Sequence, residues 1–198
     1  LERMQSAASR MSVLIRDLLN FSRISTQRET GKPVSLSQVI QTVLDDLELV
    51  IQESGAQVIV EPLPTVIGDA LQLSQLFSNL LSNSLKFRRT DASGVPVTPI
   101  IRVQADMVGA DQLPTGVRPL RIALTYHLIQ VIDNGIGFDE KYLDRIFQVF
   151  QRLHGRSEFV GTGIGLAICE KVVVNHGGAI TGTSKPGQGA TFSVYLPI

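Results

Sequence analysis

The apolar residues of this chain change their period part-way along it, and that change restricts the fold more than any other feature. Met4, Ala7, Met11, Leu14, Leu18 and Phe21 recur at spacings of three and four. Val39, Ile40, Val43, Leu44, Leu47 and Val50 form a second such series, and Leu73, Leu76, Phe77, Leu80 and Leu81 a third. Each series predicts a helix with one apolar face, over residues 3–26, 36–53 and 70–87. Later the pattern alternates. "TPIIRVQADMV" and "LRIALTYHLIQVID" read as strands joined by the loop "GADQLPTGVRP", an antiparallel pair. A bulge or turn near Tyr126 and His127 is an open alternative for the second. "GAITGTSKPGQGATFSVYLPI" reads as a hairpin turning at Lys185 to Gln188, and "AQVIVEP" as a short strand. A short helix near Glu140 to Arg145 and one from Ile164 to His176 lie among the strands. The expected class is α+β, a two-layer α/β sandwich with helices on one face of a mixed, largely antiparallel sheet, preceded by a long N-terminal helix.

Caps and breaks agree with this reading. Ser35 or Ser37 starts the second helix, Gly55 ends it, and Asp69 caps the third. Gly31 and Pro33 punctuate the chain, which divides it into residues 1–30 and 31–198. The first helix carries a heptad seam over about three repeats, widened by Ile15 and Leu19 as in a four-helix bundle. Such a stripe wants partner helices; the alternative is a helix folded back on its own domain.

Composition excludes several classes. The 198 residues are 43% hydrophobic and 18% charged, which suits a packed globular chain. Eighteen basic and eighteen acidic residues cancel, so the chain lacks the basic footprint of a nucleic-acid binder. The single Cys169 excludes an internal disulfide and a cysteine-rich zinc site, and fits a reducing compartment such as the cytoplasm. No apolar run approaches the roughly 20 residues of a membrane span. The chain begins Leu1-Glu2-Arg3 without Met, so a longer parent, soluble or membrane-anchored, is expected.

Three stretches could carry chemistry. Asn79 and Asn83 share a helix face, with Lys86 along the same helix. Carboxamide oxygens suit a magnesium ion that bridges to phosphates, and Lys86 offers a point charge. On spacing alone, two solvated Asn are the commoner reading. "VIDNGIGFDE" places Asp133 at the end of an apolar strand, followed by Gly135 and Gly137. A carboxylate there could accept from the amino group of a planar heterocycle, though alone the stretch reads as an ordinary turn. "GTGIGLAICEKVVVNHGG" sets Gly161, Gly163 and Gly165 before an apolar helix, a backbone cradle for an anion. It is not the dinucleotide-binding fingerprint, which follows a strand and leads to an acid about 20 residues on. Phe147 and Phe150, three apart, read as one helical face pinning a basic loop of Arg152, His154, Arg156 and Ser157, a lid.

Their order is more specific than any one of them. "NLLSNSLKF", "DNGIGF", "IFQVFQRL", "GTGIGLAI" and "GQGATF" together resemble the N, first glycine, F and later glycine boxes of the catalytic ATP-binding domain of two-component sensor histidine kinases. The likeness covers residues 34–198, and residues 3–26 resemble the second helix of the family's dimerisation and phosphoacceptor domain. The resemblance implies a Bergerat-type fold that takes ATP and Mg2+. It puts Asp133 on the adenine amino group and Gly135 and Gly137 along the base, with Phe150 and Thr191 nearby. Asn79 and Asn83 would hold the magnesium and, with Lys86, serve phosphoryl transfer. Gly161, Thr162, Gly163, Gly165 and Leu166 would wrap the phosphates. It also implies a response regulator as partner, a homodimer through the N-terminal helix, and no nucleic acid.

Hydrolases of the same superfamily resemble one another in placing a Glu where this chain has Asn79. Asn cannot take a proton from water, which favours a kinase over an ATPase. A degenerate binding or dimerisation module is the remaining alternative. None of His127, His154 and His176 matches the family's acceptor context, so the phosphoacceptor is expected outside this sequence. The chain departs from the pattern in having Ser84 where Ala is usual, and in a long stretch over residues 90–119, either an extended hairpin or a docking loop.

Overall fold

The computed structural model describes residues 2–24, 31–151, 153 and 161–198. Helix α1 spans Glu2–Arg23. Strand β1 (Lys32–Ser35) leads into α2 (Leu36–Asp46), whose cap Ser35 accepts from the Gln38 N–H at 3.5 Å. Helix α3 (Glu48–Ser54) follows and stops at Gly55, which adopts φ 64°. The single helix expected over 36–53 is thus divided at Leu47, whose N–H is shared between the carbonyls of Val43 and Leu44 at 3.1 and 3.2 Å. That shared bond tightens the turn without breaking the stack.

Strands β2 (Gln57–Val60) and β3 (Thr65–Gly68) precede α4 (Ala70–Lys86). Strand β3 pairs antiparallel with β1, Val34 opposite Val66. Neither strand of this pair is read from the sequence. Each has four residues, too few for alternation to show, and Pro33 reads as a break. Strands β4 (Ile100–Gly109) and β5 (Thr125–Asp133) form the expected antiparallel pair. After α5 (Leu143–Ile146) come α6 (Gly165–Asn175) and the hairpin β6 (Ala179–Ser184) and β7 (Ala190–Pro197). The main sheet runs β2-β4-β5-β7-β6, parallel at β2–β4 and antiparallel elsewhere, as expected.

Strand β5 is unbroken but begins at Thr125, later than expected. The preceding residues 120–124 run alongside the turn after α6, with the Arg121 N–H on the Gly177 carbonyl at 2.7 Å. Leu120, Ile122 and Leu124 are 67, 92 and 89% exposed, so their alternation, read as a half-buried strand, lies on the surface. Residues 90–99 form a small loop closed by a bridge between Thr90 and Pro96, with Asp91 Oδ1 accepting from the Ser93 and Val95 N–H groups.

The core lies between the helices and one sheet face. Leu76, Phe77 and Leu80 of α4 and Ile168, Val172 and Val173 of α6 are buried with Ile101, Val103, Ile129, Val131 and Val194 of the sheet. Leu14 and Phe21 of α1 and Ile24 just beyond it pack on this core, while Met11, Ile15, Leu18 and Leu19 are exposed. The heptad series therefore splits: part folds back on the domain and part remains bare.

Candidate functional site

Strand β5 carries Asp133 to the end of the central strand, between Ile101 of β4 and Ala190 of β7 and beside the turn of the β6–β7 hairpin. Its Oδ1 accepts from the Gly135 N–H at 2.8 Å and the Ala190 N–H at 3.2 Å. Its Oδ2 lies 3.1 Å from Ser84 Oγ, which also reaches the Leu80 carbonyl at 3.2 Å. Burial pushes the carboxyl above its ordinary 3.8, and these hydrogen bonds pull the other way. A carboxylate has about four acceptor positions; two N–H groups and a hydroxyl whose one proton is shared with the Leu80 carbonyl leave at least one for a ligand. Ser84, where the family pattern has Ala, is thus part of this site rather than only a packing change.

The turn that presents Asp133 depends on two glycines. Gly189, at φ 84°, presses on the Asp133 carbonyl, where a Cβ would overlap backbone. Gly137, at φ 62°, packs against the Lys185 and Gly189 carbonyls in the same way. Both positions demand glycine twice over, for conformation and for space.

Above Asp133 opens a cavity of about 290 Å3. The structure brings to it Asp133, Gly137, Asn79, Asn83, Lys86, Gly161, Thr162, Gly163, Gly165 and Leu166, from three separate parts of the chain. Its apolar end is walled by Ile136, Phe138, Ile146, Ala190 and Phe192. Phe147 backs this wall, edge-on to Phe192 with ring centroids 6.5 Å apart. At the other end Lys86 Nζ lies beside Gly161, where a Cβ would come within 2.5 Å, and 4.4 Å from the Phe87 ring centroid. Helix α6 starts here at Gly165 with no side-chain cap on Ile164, so first-turn N–H groups face the cavity end.

Asn79 sits at the centre. Its Oδ1 is 3.5 Å from Gln75 Nε2, and its Nδ2 is buried beside the Cys169 thiol, with no nitrogen or oxygen partner among the described residues. An orphaned buried amide wants a ligand, and a half-turn of the carboxamide exchanges oxygen for nitrogen. The N–H donor is satisfied by a phosphate oxygen or a water, and the turned carboxamide would offer its oxygen to a hydrated magnesium ion, so Asn79, with Asn83 beside it in the lining, fits such an ion.

Three expected site residues lie outside the cavity lining. Gly135 acts through its N–H on Asp133. Thr191 falls between Ala190 and Phe192, and since strand side chains alternate, its two neighbours face the cavity in its place. Phe150 does not continue a helical face with Phe147, because α5 ends at Ile146. It has φ 65°, is 58% exposed, and its N–H donates to the Gly163 carbonyl at 3.0 Å. It braces the glycine loop through backbone. The lid residues Arg152, His154, Arg156 and Ser157 lie outside the described residues.

Sequence reading missed the apolar wall, whose members look like ordinary core, and Asp17 of α1, which no local pattern marks. Neither of the two described histidines lines the cavity. His127 is half-buried, and burial lowers its pKa. His176 accepts the Asp69 N–H at Nε2, 3.0 Å, with Nδ1 2.7 Å from the Val172 carbonyl.

Helices on one face of such a sheet, with this cavity between, are the architecture of histidine kinase catalytic domains. The full-length ShkA structure in complex with AMPPNP superposes with TM-score 0.70 at 22% identity, covering 99% of this chain and 37% of that one. The mycobacterial sensor histidine kinase MprB superposes with TM-score 0.60 at 25% identity, covering 84% of this chain and 97% of that one. The chain belongs to the histidine kinase-, DNA gyrase B- and HSP90-like ATPase family, whose profile matches residues 68–198. Cyanobacterial phytochrome A of Nostoc sp. is 38% identical over 96% of this chain and 22% of its own length. The sensor histidine kinase RcsC of Escherichia coli is 32% identical over 98% of this chain and 19% of its own. The chain thus spans about a fifth of the length of these curated relatives. No helix among the described residues is long and apolar enough to cross a membrane.

Proposed function

We propose that this chain is the ATP-binding catalytic region of a cytoplasmic two-component sensor histidine kinase. It transfers the terminal phosphoryl group of ATP to a histidine that these 198 residues do not supply, for relay to a response regulator. Residues 1–30 belong to the dimerisation and phosphoacceptor unit, and 31–198 to the catalytic unit. Asp133 accepts from the adenine amino group, and a carbonyl in its place, as in guanine, would be repelled. Ile136, Phe138, Ala190 and Phe192 enclose the base. Asn79 and Asn83 hold magnesium, which neutralises phosphate charge when bound. Lys86, Thr162 and the N–H groups from Gly161 to Leu166 orient the phosphates. The chain's contribution to transfer is positioning and charge, which is what phosphoryl transfer needs.

Transfer is favoured over hydrolysis by Asn79, which takes no proton. Both carboxylates among the described lining residues are engaged, Asp133 as above and Asp17 with Thr162. The observation that carries the reading is Asp133, half-buried, held by the Gly135 and Ala190 N–H groups and within reach of the Ser84 hydroxyl, with an acceptor position left, at the apolar end of a cavity whose other end is cationic and amide-rich.

Calorimetric titration with ATP and GTP tests it. The expected result is ATP binding that tightens with magnesium, no tightening in N83A, and weak GTP binding. Equal affinity for the two nucleotides, or affinity in N83A that responds to magnesium as the parent does, would refute the residue assignments.

A further inference from the structure

Asp17 belongs to α1, yet it lines the same cavity as Asn79, Asn83 and Lys86. Its Oδ2 accepts from Thr162 Oγ1 at 2.5 Å, a bond between residues 145 apart in sequence. More contacts fasten this end of α1. Lys171 Nζ donates to the Phe21 carbonyl at 3.0 Å and lies 4.0 Å from the Phe21 ring centroid. Asn175 Nδ2 donates to the Ile24 carbonyl at 2.7 Å. Asp17, Phe21 and Ile24 are spaced by four and three, so one helical face is fixed to α6 and to the glycine loop before it.

This contact conflicts chemically with an anion in that loop. Thr162 has one hydroxyl proton, and Asp17 holds it. The carboxylate also places a negative charge at the end of the cavity that offers Lys86 and the α6 N-terminus. Any phosphate lodged there must meet that charge, and a third phosphate meets it more than a second. We propose that Asp17 makes the site discriminate a nucleoside triphosphate from a diphosphate, because docking of α1 through Asp17 and occupation of the loop by the terminal phosphate exclude one another. A triphosphate releases the helix and a diphosphate leaves it held. By reciprocity, whatever draws α1 away tightens triphosphate binding. The inference rests on the nucleotide reading of the cavity.

The test uses the 198-residue chain with magnesium, a non-hydrolysable ATP analogue, and ADP. In calorimetry both D17N and D17A are expected to bind the triphosphate analogue about fivefold tighter than the parent, the size of one partly exposed charge interaction, with a smaller change for ADP. D17N keeps an oxygen acceptor for Thr162, so parent-like binding by D17N would overturn the charge argument. Helix position is read separately by spin-label distances between Ser12→Cys and Asp46→Cys; Cys169 is buried and takes no label. The analogue is expected to lengthen or broaden that distance and ADP to leave it unchanged. If both nucleotides bind but neither the D17 variants nor the label distance separates them, this inference fails while the nucleotide reading stands. Absence of nucleotide binding in parent and variants alike would overturn both.

Discussion

Asp133 is half-buried, and it accepts most strongly from a base when it is charged. Its pKa is raised by burial from 3.8, so the native state holds a proton that the unfolded chain has already released. Stability is therefore expected to fall as pH rises from the unfolded value through the folded one. D133N should remove that slope in urea denaturation across the acid range and should fold at least as stably. The same variant should weaken ATP binding about tenfold or more, the loss expected of a charge-assisted bond, as measured by calorimetry. Ser84→Ala removes an opposing hydrogen bond, so the Asp133 carboxyl should titrate higher still. Carbon-13 titration of that carboxyl checks it, and an unchanged midpoint would deny Ser84 its role.

At the scale of elements, the site depends on where α4 and α6 begin. Asp69 Oδ1 accepts from the Leu71 and Gln72 N–H groups at 2.8 and 3.0 Å, while the Asp69 N–H is held by His176 at the end of α6. The two helices that deliver Asn79, Asn83 and the glycine loop are thus registered against each other at the far end. Asp69→Ala should cost about 1 kcal/mol in chemical denaturation, the usual loss of a helix cap. The helices themselves are legible in the sequence because a period of 3.6 persists over several turns. The pair β1 and β3 is not, because four residues carry no period. Residues 120–124 mislead for the opposite reason: they alternate, but Leu120, Ile122 and Leu124 alternate into solvent.

For the whole molecule, α1 has two faces with different fates. Leu14 and Phe21 are turned to the domain, and Met11, Ile15, Leu18 and Leu19 are bare. An apolar stripe of that kind drives helices together. The chain should self-associate in sedimentation velocity, and Leu18→Lys should shift it towards monomer without altering nucleotide affinity. A parent that stays monomeric at high concentration would count against dimerisation through this stripe.

What the sequence determined by itself was the set of elements and the chemistry near each: three amphipathic helices, the strand ending at Asp133, and the glycine loop opening a helix. Those are short-range properties, written in periodicity and in residues a few positions apart. What only the tertiary structure decided was which side chains meet. Asn79 next to Gly165, Ser84 on Asp133, the choice of Ala190 and Phe192 over Thr191, and Asp17 on Thr162 all join distant segments. No local pattern encodes such pairs, because packing of helices on the sheet sets their distances, and packing is a property of the whole chain.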